Sequence, residues 1–282
     1  MLKELLSDFS VEVMPRTLVK VEDLANLFPK ATRIYVAHIE GVDIQDMVAA
    51  SRRLADYGYR VMPHFPARII KDQCVLERWI KSYSEDAGVS EALLLAGSPR
   101  NPLGSLENSM QLLDTGLFDK YGFGRLHVAG HPEGNKDIDQ DTSGEGIAEA
   151  LRWKQRFSQR TDAQMAVVTQ FSFSATSVVR WAESLKKNEI DLPIHVGVAG
   201  PTKLQTLIKF AISCGVGPSI KVLQKRAADL SKLLLPYEPT DVLLELAAQL
   251  DNVQKTNISN IHFFPLGGIQ ATADWLKKEQ KQ

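Results

Sequence analysis

Residues 91–97 read Glu-Ala-Leu-Leu-Leu-Ala-Gly, and residues 125–130 read Arg-Leu-His-Val-Ala-Gly. In each, apolar residues follow one another without alternation, and the run stops at a glycine. A strand with one wet face alternates. A strand covered on both faces does not, and such strands belong to parallel sheets. Six further runs share the character, at 9–14, 33–37, 60–64, 165–170, 193–198 and 260–265. Helical patterns separate them at 44–56, 75–82, 106–115, 146–160, 176–187 and 203–214, with Asp43 and Thr202 placed to cap the first and last. Alternation of strand and helix eight times over predicts an α/β chain folded as a (β/α)8 TIM barrel. A doubly wound open sheet of the same elements is the alternative. Residues 220–255 are helical in pattern and contain no strand, which predicts an extra helical segment between strands seven and eight. No repeat, low-complexity tract or linker divides the chain, so one domain is expected over 1–282.

Composition removes several classes of function. Lys+Arg is 33 and Asp+Glu is 34, a net charge of -1 that leaves no basic footprint for nucleic acid or anionic lipid. The longest apolar stretches fall far short of the ~18 residues that a membrane span needs. The first residues, MLKELLSDFSVEV, are broken by charges and carry no apolar leader. The two cysteines, Cys74 and Cys214, lie in no metal-binding or disulfide spacing. A cytoplasmic, reducing setting is the expectation, and a homo-oligomer is left open.

A barrel carries its chemistry at the C-terminal ends of its strands. Glu12 interrupts the apolar run of strand one. Desolvation there should raise its pKa and suit a general acid, although a structural pairing with an inward cation is an equal alternative. His38, His64 and His131 end strands two, three and five. No His-x-His pair is present, and His127 and His131 stand ~13 Å apart along an extended strand, too far to share one ion. No metal site is expected. Gly97 offers a close backbone approach to a planar ligand. Gln170, followed by Phe171 and Phe173, offers an amide and stacking faces to a flat heterocycle, with core packing as the alternative for the aromatics. Gly200-Pro201-Thr202 and Gly267-Gly268 precede helices at the usual phosphate position of such barrels.

Taken in order, several pieces resemble the flavin-dependent methylenetetrahydrofolate reductases. They are Val11-Glu12-Val13-Met14-Pro15-Arg16, Pro63-His64, Leu95-Ala96-Gly97-Ser98, and Val128-Ala129-Gly130-His131-Pro132-Glu133. Thr169-Gln170-Phe171-Ser172-Phe173, Gly197-Val198-Ala199-Gly200-Pro201-Thr202 and Ile261-His262-Phe263-Phe264 complete the set. The match is colinear over nearly the whole chain and remote in most helices. The resemblance implies a TIM-barrel oxidoreductase of one-carbon metabolism and methionine biosynthesis, a flavoprotein holding FAD. It would pass hydride from NAD(P)H to 5,10-methylenetetrahydrofolate and give 5-methyltetrahydrofolate. Glu12 matches the family's general acid. Gln170, Ser98 and Phe171 match the folate side of the site. His64, Leu95, Gly97, Ser98, Ala129 and His131 match flavin-lining positions, and Lys154, with Arg156 as the alternative, is the candidate cation for the FAD phosphates.

The chain also departs from that pattern. Ser98 stands where the family has Asp, Ala96 replaces its Arg, His131 its Tyr, Asn135 its His, and Gly267-Gly268 a longer stretch. Loss of a carboxylate beside the flavin should ease its reduction, which points toward the reverse reaction, oxidation of methyltetrahydrofolate. Two other readings stay open: a flavin-free folate-binding or methyl-transfer relative, and a lyase or aldolase using the Gly200 and Gly267 loops for a phosphorylated substrate.

Overall fold

The computed structural model describes residues 2–139, 143–213, 236–252 and 256–281. Eight strands close into a parallel barrel in sequence order: β1 (Phe9–Val13), β2 (Arg33–Val36), β3 (Arg60–Pro66), β4 (Glu91–Leu95), β5 (Arg125–Gly130), β6 (Gln164–Phe171), β7 (Ile194–Ala199) and β8 (Ile258–Phe264). The helices are α1 (Leu2–Leu5), α2 (Pro15–Leu18), α3 (Ile44–Asp56), α4 (Gln73–Lys81), α5 (Ser109–Asp114), α6 (Leu117–Lys120), α7 (Glu145–Ser158), α8 (Ala175–Lys187), α9 (Leu204–Ser213), α10 (Thr240–Asn252) and α11 (Ile269–Lys281). The TIM barrel read from the sequence is therefore the fold. Of the extra segment expected at 220–255, α10 is helical, while 220–235 and 253–255 lie outside the described residues, as does Cys214. Cys74 is a free, exposed thiol. No described helix is long and apolar enough to cross a membrane.

The chain divides into two compact units. One comprises Val11–Ala129 and Trp153–Val167. Within it β2, β3, β4 and β5 pair in parallel, with Tyr35 beside Met62 and His64 beside Leu93. On the outer side Phe65 meets Tyr83, Phe118 and Phe123 in a tilted and edge-to-face cluster, so β3 is covered by apolar rings. Asp43 accepts a hydrogen bond from the Gln45 N–H and starts α3, which buries Met47, Val48 and Leu54. Arg53 on α3 donates to the carbonyls of Leu18 and Val21 and ties down the chain after α2.

The inward side of these strands is polar. Arg33 on β2 donates from Nε to Glu91 on β4 at 2.6 Å, and Arg125 on β5 approaches the same carboxylate at 3.6 Å. Two residues further along, Tyr35 on β2 bonds His127 on β5 through Oη and Nδ1 at 2.6 Å. β2 neighbours neither β4 nor β5, so Arg33 and Tyr35 meet their partners across the barrel interior. The pairs are successive layers of it, about 7 Å apart.

The second unit comprises Met1–Ser10, Gly130–Arg152 and Val168–Gln282. β7 and β8 pair along their length, with one irregularity at Ile194/His195. Phe263 is held between Phe9 and Trp275, and Ser10 bonds His262 Nδ1 at 2.9 Å. Phe171, Phe173, Ala199, Leu204, Leu207 and Tyr237 form a buried cluster. Thr202, expected as a cap, exchanges backbone hydrogen bonds with Tyr237.

Gly197 on β7 has no room for a side chain. A Cβ there would stand 2.4 Å from the Thr169 carbonyl and 2.7 Å from that of Gln170, backbone atoms that cannot yield. Gly197→Ala should therefore lower stability by about 1–3 kcal/mol, as overpacking does elsewhere. Urea denaturation checks this, and a change below about 0.5 kcal/mol would show that β6 and β7 are not so tightly apposed.

Candidate active site

The residues that sequence reading singles out fall in both units. In the first unit the structure brings Glu12 and His64 together. Glu12 lies on β1 and His64 on β3, again strands that do not pair, so the two meet inside the barrel toward its C-terminal rim. Glu12 Oε2 stands 3.3 Å from His64 Nε2, within ion-pair range but not aligned as a hydrogen bond. The side chains are 21% and 10% exposed, so both groups are shielded from bulk water while an edge stays reachable. The Tyr35 ring stands edge-on to the His64 ring at 6.5 Å and 82°.

His38, at the end of β2, is buried and stacks on Trp79 at 4.9 Å, with Nε2 3.0 Å from the Val42 carbonyl. Burial holds its pKa below the ordinary histidine value, with the nearby His64 adding to the effect against the Val42 bond and Asp43. Because a carbonyl only accepts, Nε2 carries the proton in the neutral ring. Among the described residues no group of three His, Cys, Asp or Glu side chains has metal-binding geometry.

The other candidates of this unit are placed as follows. Leu95 ends β4 and is half-buried, and Ser98 is exposed in the loop beyond it. Gly97 has φ +96°, and a Cβ there would meet Pro66 Cβ at 3.0 Å. Backbone conformation and close packing thus account for this glycine without a ligand. Ala129 is half-buried near the end of β5. Lys154 occupies the buried stripe of α7 that also holds Leu151 and Phe157, with 7% exposure.

In the second unit, His131 is half-buried, with Nδ1 3.4 Å from Asn135 Nδ2. Gln170 is half-buried at the end of β6, and Phe171 is buried in the apolar cluster against Phe173 and Phe264. Next to them Ser172 donates from Oγ to Glu133 Oε1 at 2.9 Å. Gly200 and Gly267 are also packing glycines. Added Cβ atoms would meet Thr272 Oγ1 at 2.4 Å and the Pro201 carbonyl at 2.1 Å.

Sequence reading weighs His127 only as a metal ligand and passes over Tyr35 and the Ser172–Glu133 bond. For Tyr35 and His127 the available signal is a polar residue inside an apolar strand run, the same signal that marks Glu12; Ser172 and Glu133 lie beyond strand ends and carry no such signal.

Burial pushes the Lys154 ammonium down to about 8 from an ordinary 10.5. The folded state then holds this proton less tightly than the unfolded chain, so stability rises as pH climbs from about 8 to 10.5 and is lowest, for this group, below 8. Lys154→Met should stabilise the protein at pH 7 by on the order of 3 kcal/mol and flatten that rise. Denaturant titrations at pH 7 and pH 10 test the sign, and a less stable Met variant at pH 7 would overturn it.

No family model matches this chain. Solved structures do. A dihydropteroate synthase of Yersinia pestis, solved with a pterine–sulfa conjugate, superposes with a TM-score of 0.50 at 11% identity, covering 98% of this chain and 94% of that one. Those of Thermus thermophilus (0.47, 12% identity, 98% and 95% covered) and Vibrio fischeri (0.46, 13%, 98% and 94%) score lower. At such identity the Yersinia likeness speaks for the fold, a full-length TIM barrel.

These findings correct the resemblance to methylenetetrahydrofolate reductases. The Yersinia structure, which matches over the full length, is named as a dihydropteroate synthase and not as a flavin-dependent reductase. With that assignment go the hydride transfer between methylene- and methyltetrahydrofolate in either direction, the oxidoreductase class, the flavoprotein and FAD assignments, and methionine biosynthesis. NAD(P)H has no support either. The physical reason lies in the motifs themselves. They sit on strands and strand ends, where buried apolar runs and close-packed glycines such as Gly97, Gly197 and Gly200 are what barrel closure demands.

Proposed function

We propose that this barrel is a group-transfer enzyme, acting as one domain, that binds a pterin or reduced folate at the rim of its first unit. The observation that carries the reading is the Glu12 carboxylate 3.3 Å from the His64 imidazole, inside the barrel and near the C-terminal ends of β1 and β3. A carboxylate there can accept hydrogen bonds from the amino and ring N–H groups of a pterin. In its protonated form it can deliver a proton to the ring nitrogen that bears a substituent; the N–C bond then breaks with its electron pair left on that nitrogen while an acceptor nucleophile bonds the carbon and gives up its own proton. His64 is the group that can hold or return that proton. Such a transfer moves a proton and a carbon substituent and requires no electron carrier. The Yersinia synthase of the same fold, crystallised with a pterine conjugate, supports the ligand class by analogy of fold alone.

Calorimetric titration with tetrahydrofolate tests the reading. The wild-type protein should bind, and Glu12→Gln should weaken binding by about tenfold to a hundredfold, the worth of a charge-assisted hydrogen bond. Equal affinity of wild type and variant, or no heat from tetrahydrofolate at millimolar concentration, would sink it.

A further inference from the structure

Among the buried titratable side chains of the first unit that this reading does not yet use, two are bonded to each other across the barrel. Tyr35 and His127 are both fully buried. Their Oη–Nδ1 bond is 2.6 Å, and their rings are tilted 47° with centroids 6.0 Å apart. Most barrels fill this layer with branched apolar chains, which cost no desolvation. A buried phenol and imidazole need polar partners, and the Oη–Nδ1 bond between them holds the two rings in one relative orientation. The Tyr35 ring then presents its face or edge in one direction only, and what it meets is His64, at 82°.

We infer that Tyr35 and His127 are positioning residues for the Glu12–His64 pair. The His127 bond locks Tyr35, and the locked ring limits His64 to the orientation that keeps Nε2 toward Glu12. The chain of contact runs from β5 through β2 and β3 to β1, entirely within the first unit. It explains why a polar pair stands where apolar packing would be more stable. It also separates the roles, since Tyr35 and His127 act through His64 and reach no ligand themselves. The inference adds to the proposed pterin site, but the coupling it describes exists without any ligand.

The test uses that independence. Side-chain ¹⁵N spectra of the histidines are recorded for the ligand-free full-length protein in a cycle of four: wild type, Glu12→Gln, Tyr35→Leu and the double variant. Glu12→Gln should move the His64 ring-nitrogen signals in the wild-type background. It should move them by less than about half as much in the Tyr35→Leu background, because the ring no longer faces Glu12 in one fixed orientation. An equal effect in both backgrounds overturns the inference. If Tyr35→Leu does not fold, Tyr35→Phe, which keeps the ring and loses only the hydroxyl, takes its place in the cycle with the same criterion.

Tetrahydrofolate titration of the Tyr35→Phe variant adds a second reading. The affinity should fall by no more than about fivefold, since only part of the worth of one neutral hydrogen bond passes through His64 to the ligand, and Glu12→Gln on top should then cost less than it does alone. Strictly additive losses count against positioning. Absence of folate binding in wild type would defeat the functional reading, while the ligand-free cycle would still decide the inference.

Discussion

Two ionisable side chains from non-neighbouring strands can share the inside of a closed barrel only if each gives the other what water would have given. Glu12 and His64 approach that condition at 3.3 Å, an ion-pair distance without hydrogen-bond alignment, and other polar contacts of the first unit lie close to it. Moving a lone carboxylate into such a site costs several kcal/mol. A partner on a different strand reduces that cost, and it also fixes the relative placement of β1 and β3 more tightly than apolar contact would. The pair therefore links folding and chemistry, since the contact that makes burial tolerable also places a proton donor and acceptor near the rim.

The same constraint recurs one layer at a time down the interior. Glu91 lies between Arg33 and Arg125, and Tyr35 opposes His127. Each layer joins strands that hydrogen bonds of the sheet do not join. Buried polar sets of this kind seldom add to stability over an apolar filling of the same shape. What they supply is definition, because a misaligned strand would strand a charge rather than leave a small void. Lys154 is the counter-example in the same unit: an amine on the buried stripe of α7, destabilising while it is charged. Apolar burial offsets both, in the ring cluster around Phe65 and the apolar faces of the helices.

How much of this could be read from sequence depends on the range of the interaction concerned. Strand positions were legible to within a residue or two, since continuous burial writes an apolar run into five or six adjacent positions. The Asp43 cap was legible because its bond is local. Glu12 stood out as a charge inside such a run, and His64 as a polar strand end. Their pairing was not legible, nor was that of Tyr35 with His127, 92 positions away, because nothing in the spacing of such residues says which will meet. The glycines misled for a related reason. Gly97 invites a ligand in sequence, whereas in space Pro66 already fills the place a side chain would take.

The motif resemblance failed in the same physical terms. Short strings such as Leu-Leu-Leu-Ala-Gly or Gly-Val-Ala-Gly-Pro are repeated across barrels because every such strand must be apolar, and every tight crossing must spare a Cβ. Agreement at those positions measures closure, not chemistry. The converse holds for fold likeness. A barrel shared with pteroate-forming enzymes at 11% identity says that the backbone can place groups at a rim, and nothing about which groups. The discriminating information lies where barrel physics is violated, at polar side chains held against desolvation in the interior. In the first unit those include Glu12, His64, Tyr35 and His127, beside the Arg33–Glu91–Arg125 layer, and any account of what this protein does must explain why these side chains are not aliphatic.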